Sequence, residues 1–557
     1  MSPTVPNLIL TGFMGTGKTA VGRELAGLLG RPFHDLDAVI EQEAGRTVAE
    51  IFAAESEEGF RRRERAAVAR VGGLRGAVIA TGGGTLLDPV NRERLQAAGQ
   101  LILLKADPAA LVERLREDAG ARPLLAGHAD LPGRLAELLA GRAEAYAGCD
   151  QELDTTGIEP AEAAAQLAAR LARPVSEIWI PVPGAEGLPV LAAHRLAGSR
   201  VVTGRGTACR LGAELRAREI DGRVILVMPE VVRDRYLPRL TASLDAVNLP
   251  WGLLGIQDGD QEKTFAQVED LVDALASLSA DRGTCVVAVG GGVTGDLVGF
   301  AAAVYMRGIA LAMVPTTLLA QVDAHIGGKT GVNGRRVKNL AGAFHPPILV
   351  VADPCLLATL PDRELAGGLA EVVKSAIIGD PGLFARLEAA LVDAPRDGDR
   401  DPRRDLALLE DCVASCAAVK GGVVTRDPWE LDERRLLNLG HTLGHALEAQ
   451  SEYGLSHGEA VSIGTVAALQ VAVGRRAASR ELLDRTRRLL RACGLPTTPP
   501  TFDADDLMSR LRLDKKRRDG RQFFVLPRGL GRVEVVDDVS DDEALEALAR
   551  EQACASS

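Results

Sequence analysis

A glycine-rich loop near the start of the chain constrains the fold more than any other feature. Residues 12–19 read GFMGTGKT and fit the pattern G-x-x-x-x-G-K-S/T. An apolar, strand-like run precedes the loop at residues 8–11 and a helical stretch follows it, which is the context the pattern requires. In such a loop backbone N–H groups surround phosphate oxygens at a helix N-terminus, Lys18 reaches the β- and γ-phosphates, and Thr19 can bind Mg²⁺. The loop predicts a nucleotide-binding α/β domain.

Apolar runs predict the extent of this first domain. Strand-like runs at residues 77–81 and 101–104 alternate with helical stretches, which implies a parallel sheet. After an alanine-rich helical pattern at residues 161–171, an Arg-Pro pair and a segment rich in Pro and Gly break the periodicity. We therefore expect a first domain over residues 1–172 and a linker over residues 173–188.

The remainder of the chain predicts two further domains, since 557 residues are too many for one ordinary core. Strand candidates lie at residues 200–203, 224–227, 285–289 and 311–314. Long helical patterns follow at residues 364–378, 405–420 and 458–474, with a solvated loop expected at residues 393–404. The predicted order is an α/β domain over residues 189–361 and an all-helical domain over residues 362–557.

Composition narrows the classes of partner. The net charge of −11 disfavours nucleic acid and anionic membranes, which both require an extended basic surface. The eight cysteines are scattered without a C-x-x-C pair, as expected of reduced thiols. The chain does not begin like a secretory signal, and no run of about 18 apolar residues occurs in it. These features predict a cytoplasmic protein with no nucleic-acid or membrane partner.

Charged and glycine-rich segments in the first domain supply a candidate acceptor site beside the phosphate loop. Asp35 and Asp37 place two carboxylates on alternate faces, one suited to Mg²⁺ and the other to a hydroxyl group. Residues 82–84 are three glycines directly after a strand. Three arginines could bind a carboxylate or the transferred phosphoryl group, although each alone is more often a surface residue: Arg61, Arg122 and Arg142.

Together the runs GFMGTGKT, DLD, GFRRRE, TGGG and ARPLL resemble shikimate kinases along nearly all of residues 7–170. The resemblance implies that shikimate is held by Asp37, Arg61, Gly83 and Arg142. It implies ATP binding by Gly12, Gly15, Thr16, Gly17, Lys18, Thr19 and the lid residue Arg122, with Thr19 and Asp35 at Mg²⁺. The implied catalytic residues are Lys18, Asp37 and Arg122. The adenine-side arginine is either Arg114 or Arg116. The run after Arg142 is AEAY, where the family usually has Pro-Leu-Tyr.

A second glycine-rich turn lies in the predicted middle domain. Residues 290–296 read GGGVTGD, after a strand and before an apolar helix. Backbone amides in this position can meet a pyrophosphate, although the spacing is not G-x-G-x-x-G and a tight turn without a ligand is an alternative interpretation. The turn is a candidate dinucleotide site.

Histidines in the predicted helical domain indicate a metal site. His441 and His445 stand at i and i+4, on one helix face, which suits zinc. Spacing alone favours these two as joint ligands, with His457 and Glu371 as further candidates. Several cations surround this region in an acidic chain and indicate a polyanionic substrate: Lys329, Lys338, Lys374, Arg434, Lys515 and Lys516.

The runs DGDQEKT, GGGVTGDLVGF, VPTTLLAQVD, IGGKT, VKNLAGAF, GLAEVVK, NLGHTLGHALE and LSHGEAV together resemble 3-dehydroquinate synthases over about residues 180–545. The resemblance implies the zinc ligands Glu371, His441 and His457, with Co²⁺ as an alternative metal. It places His445 either beside those ligands or in contact with the substrate. NAD⁺ is implied to bind Asp260, Lys263, Gly292, Asp296, Thr316, Thr317, Lys329, Lys338 and Thr359. Substrate and catalytic contacts are implied for Asp323, Lys329, Lys338, Asn339, Lys374, Arg434, Asn438, His445 and either Lys515 or Lys516. Arg307 is expected to reach in from the partner subunit of a homodimer.

The two resemblances imply two reactions of the shikimate pathway. The first is phosphorylation of shikimate by ATP, and the second converts 3-deoxy-arabino-heptulosonate 7-phosphate into 3-dehydroquinate and phosphate, with NAD⁺ recycled. Three alternatives remain from the residues themselves. The second half could be a sugar-phosphate cyclase with another product or a metal-dependent polyol dehydrogenase, and the first half could be a non-catalytic ATP-binding module.

Overall fold

The computed structural model describes residues 5–116, 125, 130–181, 198–335, 338–394, 401–451, 454–513 and 522–556. The chain divides into two compact units, Met1–Ala172 and Arg173–Ser557. Among the described residues, none of the helices has both the length and the apolar character needed to cross a bilayer.

The first unit is built on a parallel sheet. Its strands are β1 Asn7–Gly12, β2 Phe33–Asp35, β3 Val78–Ala80, β4 Gly99–Lys105 and β5 Gln151–Asp154. Its helices are α1 Lys18–Leu29, α2 Leu36–Ala44, α3 Val48–Val71, α4 Pro89–Ala98, α5 Pro108–Leu115, α6 Leu131–Ala140, α7 Ala143–Tyr146 and α8 Pro160–Leu171. The strand order is β2-β3-β1-β4-β5. The central strand β1 is buried along its whole length, as expected of a parallel sheet covered on both faces, so the predicted fold of this unit is confirmed.

The second unit begins with a larger sheet. Its strands are β6 Ser176–Pro181, β7 Gly198–Thr203, β8 Val224–Pro229, β9 Trp251–Ile256, β10 Cys285–Gly290, β11 Ala310–Pro315 and β14 Leu349–Ala352. Two hairpins lie outside the sheet, β12 Lys329–Val332 with β13 Ala341–Phe344 and β15 Phe524–Gly529 with β16 Arg532–Val536. The sheet order is β6-β7-β14-β11-β10-β8-β9, and all neighbours are parallel except β6 with β7. Between residues 198 and 304, which the structure describes without a gap, its α-helices are α9 Leu211–Arg216, α10 Glu230–Asp245, α11 Phe265–Ser277 and α12 Gly292–Val304.

Helices dominate the remainder of the second unit, as predicted. They are α13 Asp362–Gly379, α14 Pro381–Glu388, α15 Leu406–Arg426, α16 His441–Gln450, α17 His457–Gly474, α18 Arg480–Ala492, α19 Ala504–Leu513 and α20 Asp541–Ser556. Most of them share one apolar core, with α13 and α17 buried along most of their length. Helix α17 begins at His457 because the side chain of Ser456 accepts a hydrogen bond from the Glu459 amide, and the Glu459 carboxylate accepts one from the Ser456 amide.

The structure bears on two expectations about connecting segments, and the first of them needs correction. The linker predicted over residues 173–188 contains β6, which completes the edge of the larger sheet by antiparallel pairing with β7. Pro and Gly near residue 180 suggested a break, but Pro is tolerated at the end of an edge strand, where Pro181 stands. The loop predicted at residues 393–404 contains a short 3₁₀ helix, Pro402–Arg404, and its residues 395–400 lie outside the described ranges.

Candidate active sites

The phosphate loop of the first unit has the predicted backbone shape. Gly12, Gly15 and Gly17 have φ of 141°, 82° and 86°, a conformation that residues with a Cβ rarely adopt. Helix α1 begins directly after the loop, with Lys18 as its first residue. Nζ of Lys18 donates to the Phe13 carbonyl at 2.9 Å, so its ammonium group is held back over the loop.

The two predicted Mg²⁺ ligands of the first unit are in contact. Oγ1 of Thr19 donates to Oδ2 of Asp35 at 2.6 Å. The other oxygen of Asp35 caps α2, accepting from the Asp37 amide at 3.0 Å. A hydroxyl and a carboxylate from different elements therefore meet at the start of α1, an oxygen donor pair of the kind that Mg²⁺ prefers.

The three glycines after β3 form the floor of the predicted acceptor site. A Cβ added to Gly82 would lie 2.9 Å from Oδ1 of Asp37, and one on Gly84 would lie 2.7 Å from Nη2 of Arg61. A Cβ on Gly83 would lie 3.2 Å from Nη1 of Arg142. Residues separated by up to about a hundred positions thus converge around a surface without side chains.

Arg142 has a buried guanidinium group that is only partly satisfied. It is only 3% exposed, and its guanidinium lies over the Phe13 ring at 4.7 Å. Its Nη1 has no hydrogen-bond partner among the described residues. Because an unpaired buried donor is costly, a carboxylate or phosphoryl oxygen at this position would be stabilising.

Two further side chains hold this site together. Glu64, fully buried, accepts from Nη1 of Arg61 at 2.8 Å and from Oγ1 of Thr85 at 2.7 Å. The hydroxyl of Tyr146 donates to the Gly83 carbonyl at 2.8 Å.

Burial and the neighbouring Asp35 carboxylate raise the pKa of Asp37 to about 6, although Lys18 acts in the opposite direction.

Of the predicted ATP-side arginines, Arg114 is the one tied to the phosphate loop. Its guanidinium donates to the Gly15 carbonyl at 3.2 Å and to the Thr155 carbonyl at 2.6 Å. Arg116 is exposed, at the end of the described segment, and the predicted lid residue Arg122 lies outside the described residues.

In the second unit, three histidines lie together, and two of them contact a buried carboxylate. One ring nitrogen from each of His441, His445 and His457 lies within 4.8 Å of the other two. Oε1 of Glu371, on α13, lies 3.5 Å from Nε2 of His441 and 3.3 Å from Nε2 of His457. The contact of Glu371 with His441 and His457 matches the ligand set implied by the resemblance, whereas spacing alone favoured His441 with His445 and left Glu371 and His457 as further candidates.

The chemistry of this cluster fits a divalent metal. Glu371 is fully buried, and its Oε1 accepts no hydrogen bond with regular geometry from the described residues. Nδ1 of His441 lies 3.1 Å from the Leu439 carbonyl, so its Nε2 is directed toward Glu371. A carboxylate with two or three imidazoles is a donor set that zinc favours.

A network of buried lysines and carboxylates adjoins this cluster. Nζ of Lys374 is paired with Glu371 and lies 3.3 Å from Oδ2 of Asp323. Nζ of Lys420 is paired with Oδ1 of Asp323 and donates to its carbonyl at 2.7 Å. Burial opposes the charged form of Lys374, but Asp323 and Glu371 raise its pKa above the ordinary lysine value. Burial lowers the pKa of Lys420 to about 8, against the effect of Asp323.

The second glycine turn stands at the carboxyl ends of two adjacent strands. Gly291 caps α12, which begins at Gly292 with its N-terminal amides directed toward the turn. The Thr316 amide donates to the Gly290 carbonyl at 2.9 Å, and a Cβ on Gly291 would lie 3.1 Å from Cγ2 of Thr317. These predicted cofactor residues therefore share one edge of the sheet, which is where parallel α/β sheets bind nucleotides.

Several of the remaining predicted residues of the second unit form two groups. On the glycine-turn side, Lys263 is paired with Asp296 and Asn339, and Nζ of Lys338 lies 2.8 Å from Oδ2 of Asp260. The second group joins Lys329 and Asn438 through the carboxylate of Glu430.

Three other predicted residues make different contacts. Arg434, 2% exposed, donates to the Gly327 carbonyl at 2.9 Å and the Pro428 carbonyl at 2.7 Å. Oγ1 of Thr359 lies 3.0 Å from the Tyr236 hydroxyl, and within the described ranges no side-chain hydrogen bond joins it to the glycine turn. Arg307 is exposed, with φ of 66°. Lys515 and Lys516 lie outside the described residues.

Comparison with known proteins decides the family. A family model of the shikimate kinase matches residues 14–172. Models of the N-terminal and C-terminal parts of 3-dehydroquinate synthase match residues 253–367 and 368–517. A 3-dehydroquinate synthase of Synechococcus sp. (strain CC9605) is 46% identical over 357 residues, covering 63% of this chain and 94% of the relative. The chain belongs to the 3-dehydroquinate synthase family. A shikimate kinase domain is fused to its N-terminal side.

Solved structures of related cyclases have the same fold as the synthase unit. A 2-epi-5-epi-valiolone synthase from Streptomyces hygroscopicus subsp. jinggangensis 5008, with NAD⁺ and Zn²⁺ bound, is 33% identical, with a TM-score of 0.56 over 62% of this chain and 94% of that one. A 2-deoxy-scyllo-inosose synthase complexed with carbaglucose-6-phosphate, NAD⁺ and Co²⁺ is 26% identical, with a TM-score of 0.58 over 68% of this chain and all of that one.

Sequence reasoning missed three residues of the two sites. In the synthase unit, Nζ of Lys420 donates to the carbonyl of Asp323. Glu448 lies between His457 and Lys338, with its Oε1 3.0 Å from Nζ of Lys338. In the kinase unit Glu64 anchors Arg61. Glu64 and Glu448 stand in the GFRRRE and GHTLGHALE runs, so position within those motifs was an available signal. Lys420 stands on a helix without a motif, and only burial distinguishes it.

Proposed function

We propose that this chain catalyses two reactions of the shikimate pathway, each with the residues described above. The kinase unit transfers the γ-phosphoryl group of ATP to the 3-hydroxyl of shikimate. The synthase unit converts 3-deoxy-arabino-heptulosonate 7-phosphate into 3-dehydroquinate and phosphate. The observation that carries the synthase proposal is the contact of Glu371 with His441 and His457, beside the paired Lys374 and Asp323.

In the kinase unit, the three converging side chains would hold shikimate. Arg61 and Arg142 bind its carboxylate, which would satisfy the unpaired Nη1 of Arg142. Asp37 accepts a hydrogen bond from the 3-hydroxyl and orients its oxygen toward the γ-phosphate, while Lys18 neutralises charge on the transferred group. Thr19 and Asp35 would hold Mg²⁺, which would supply positive charge to the ATP phosphates.

In the synthase unit, Glu371, His441 and His457 would hold Zn²⁺ or Co²⁺, and the glycine turn with Thr316 would hold NAD⁺. When bound, the metal would supply polarisation of a substrate hydroxyl and NAD⁺ would supply a reversible hydride acceptor, so no net oxidation would occur. Lys374 and Lys420 keep the half-buried Asp323 carboxylate ionised. The substrate phosphate and carboxylate bind to the cations of this cleft, with Arg434 and Lys329 among them.

We also propose the organisation of the whole protein. The kinase domain covers residues 1–172, and the synthase unit contains an α/β domain to residue 361 and a helical domain from residue 362. Two copies associate through the synthase unit, which is supported by the exposed Val304 and Met306 beside the exposed Arg307. The protein acts in the cytoplasm, where ATP and NAD⁺ are available and thiols remain reduced.

Reciprocal variants of the full chain test the assignment of the two sites. Lys18→Ala should abolish shikimate-dependent ADP formation and leave phosphate release from 3-deoxy-arabino-heptulosonate 7-phosphate nearly unchanged. Glu371→Gln should do the reverse. Loss of both activities in either variant would contradict two independent sites, and unchanged kinase turnover in Lys18→Ala would favour a non-catalytic ATP-binding module.

A second candidate for the synthase unit is a related cyclase with a different product. The structural relatives that make 2-epi-5-epi-valiolone and 2-deoxy-scyllo-inosose favour considering it. Product analysis by mass spectrometry with each sugar phosphate as substrate separates the candidates. Phosphate release without accumulation of NADH excludes a polyol dehydrogenase.

A further inference from the structure

His325 is a buried imidazole that the proposed reaction does not use. It directly follows a single turn of π-helix, Ala320–Ala324, which carries Asp323. The side chain is 1% exposed, and its Nε2 lies 3.0 Å from the carbonyl oxygen of Gly291. Gly291 caps α12 at the glycine turn. One imidazole therefore connects the turn that bears Asp323 with the candidate cofactor loop.

The contact with Gly291 fixes the protonation state of this ring. A carbonyl oxygen only accepts, so Nε2 of His325 must carry the proton and donate. Burial lowers the pKa of His325 to about 4, so the ring is neutral near neutral pH. Nδ1 is then an acceptor, and it has no hydrogen-bond partner among the described residues.

The unpaired Nδ1 argues against a role in packing alone. A buried acceptor without a donor is destabilising, and an apolar side chain of similar size would avoid that cost. The imidazole provides a hydrogen bond from Nε2 to the Gly291 carbonyl, which a leucine side chain could not form. Gly295, one turn into α12, leaves no room for a Cβ beside Nε2, so the helix approaches the ring closely.

We propose that His325 is a positioning residue for the dinucleotide: its Nε2–H holds the Gly291 carbonyl and thereby sets the glycine turn relative to Asp323. This inference rests on the proposed function of the synthase unit. With the carbonyl drawn back toward His325, the amides that follow it at the start of α12 are presented to a pyrophosphate. Without this bond the turn can rotate, and the amides lose their alignment before the cofactor binds.

Two substitutions of similar size separate the hydrogen bond from packing. In His325→Gln the side-chain amide nitrogen takes approximately the place of Nε2 and can donate to Gly291. In His325→Leu the space is filled and the donor is lost. Both are made in the full chain, and NAD⁺ affinity is measured by isothermal titration calorimetry with the metal site loaded.

We expect His325→Leu to weaken NAD⁺ binding about ten-fold and His325→Gln to stay within about three-fold of the unsubstituted protein. Zinc affinity should be unchanged in both variants, because His325 does not contact the histidine cluster in the described contacts. Equal NAD⁺ affinity in His325→Leu and the unsubstituted protein would overturn the inference, as would equal weakening in both variants at equal thermal stability.

The titration also distinguishes failure of this inference from failure of the proposed function. If the unsubstituted protein binds NAD⁺ and His325→Leu binds it equally well, the function stands and the role of His325 is wrong. If the unsubstituted, metal-loaded protein binds no NAD⁺, both are wrong. Should His325→Leu fold poorly, His325→Ala compared with His325→Gln provides the same contrast.

Discussion

The imidazole of His457 lies between two carboxylates from different helices. Its Nε2 is 3.3 Å from Oε1 of Glu371 on α13, and its Nδ1 is 3.5 Å from Oε2 of Glu448 on α16. Glu448 also lies 3.0 Å from Nζ of Lys338, whose ammonium group is paired with Asp260 on the glycine-turn side. One carboxylate therefore connects a candidate metal ligand with a candidate cofactor contact. An acid on the far nitrogen of a metal-binding histidine orients the ring and increases its basicity.

Glu448→Gln should weaken zinc binding about 10- to 100-fold, because the neutral amide cannot support His457 as a carboxylate does. Competition with a chromophoric chelator measures the affinity. Glu410→Gln is the matched control, since Glu410 is also partly buried and paired with an arginine, Arg205, away from the histidines. Zinc affinity equal to that of the control would contradict the orienting role of Glu448.

Kinase activity should decrease as the pH falls through about 6. Burial and Asp35 raise the pKa of Asp37 to about 6, so its carboxylate becomes protonated through this range and can no longer accept from the shikimate hydroxyl. The ratio kcat/KM for shikimate, measured between pH 5 and 8, reports this group in the free enzyme. Asp37→Asn should show low activity with a flat profile. A wild-type profile that stays flat down to pH 5 would contradict the assignment.

Tyr146→Phe should raise KM for shikimate about 2- to 10-fold, because the hydroxyl that holds the Gly83 carbonyl is lost. KM for ATP should remain unchanged, since the effect is confined to the acceptor side. Tyr305→Phe removes a comparable buried hydroxyl, which donates to the Ala280 carbonyl in the synthase unit, and should leave both constants unaltered. Equal increases in both KM values would indicate general destabilisation of the kinase unit instead.

Lys420→Met should lower the synthase kcat about 100-fold, since it removes one of the two cations that surround Asp323. In the unsubstituted protein, burial lowers the pKa of Lys420 to about 8, so activity that needs its ammonium group should decline as the pH rises through 8. Lys420→Arg should retain part of the activity without this alkaline decline, because guanidinium stays charged. Wild-type activity in Lys420→Met would show that Lys374 alone supports Asp323.

The two sites differ in how much of them sequence patterns predicted. The phosphate loop was predicted with its strand and helix, and the positive φ of Gly15 and Gly17 is what their positions require. Histidine spacing predicted a metal site but not Glu371, which stands 70 positions before His441 and reaches it through the packing of α13 against the other helices. The edge strand β6 was missed because its pairing with β7 depends on a segment about 20 residues further along the chain.

The sequence by itself determined the features that short stretches of backbone enforce. Glycines at fixed spacing shape the phosphate loop, and two histidines at i and i+4 share a helix face, because both follow from local geometry. The tertiary structure decided which charges are buried together. It placed Lys420 against Asp323 and His325 under Gly291, and it raised the pKa of Asp37. Burial and electrostatic pairing depend on distances between distant segments, and packing of the whole unit sets those distances.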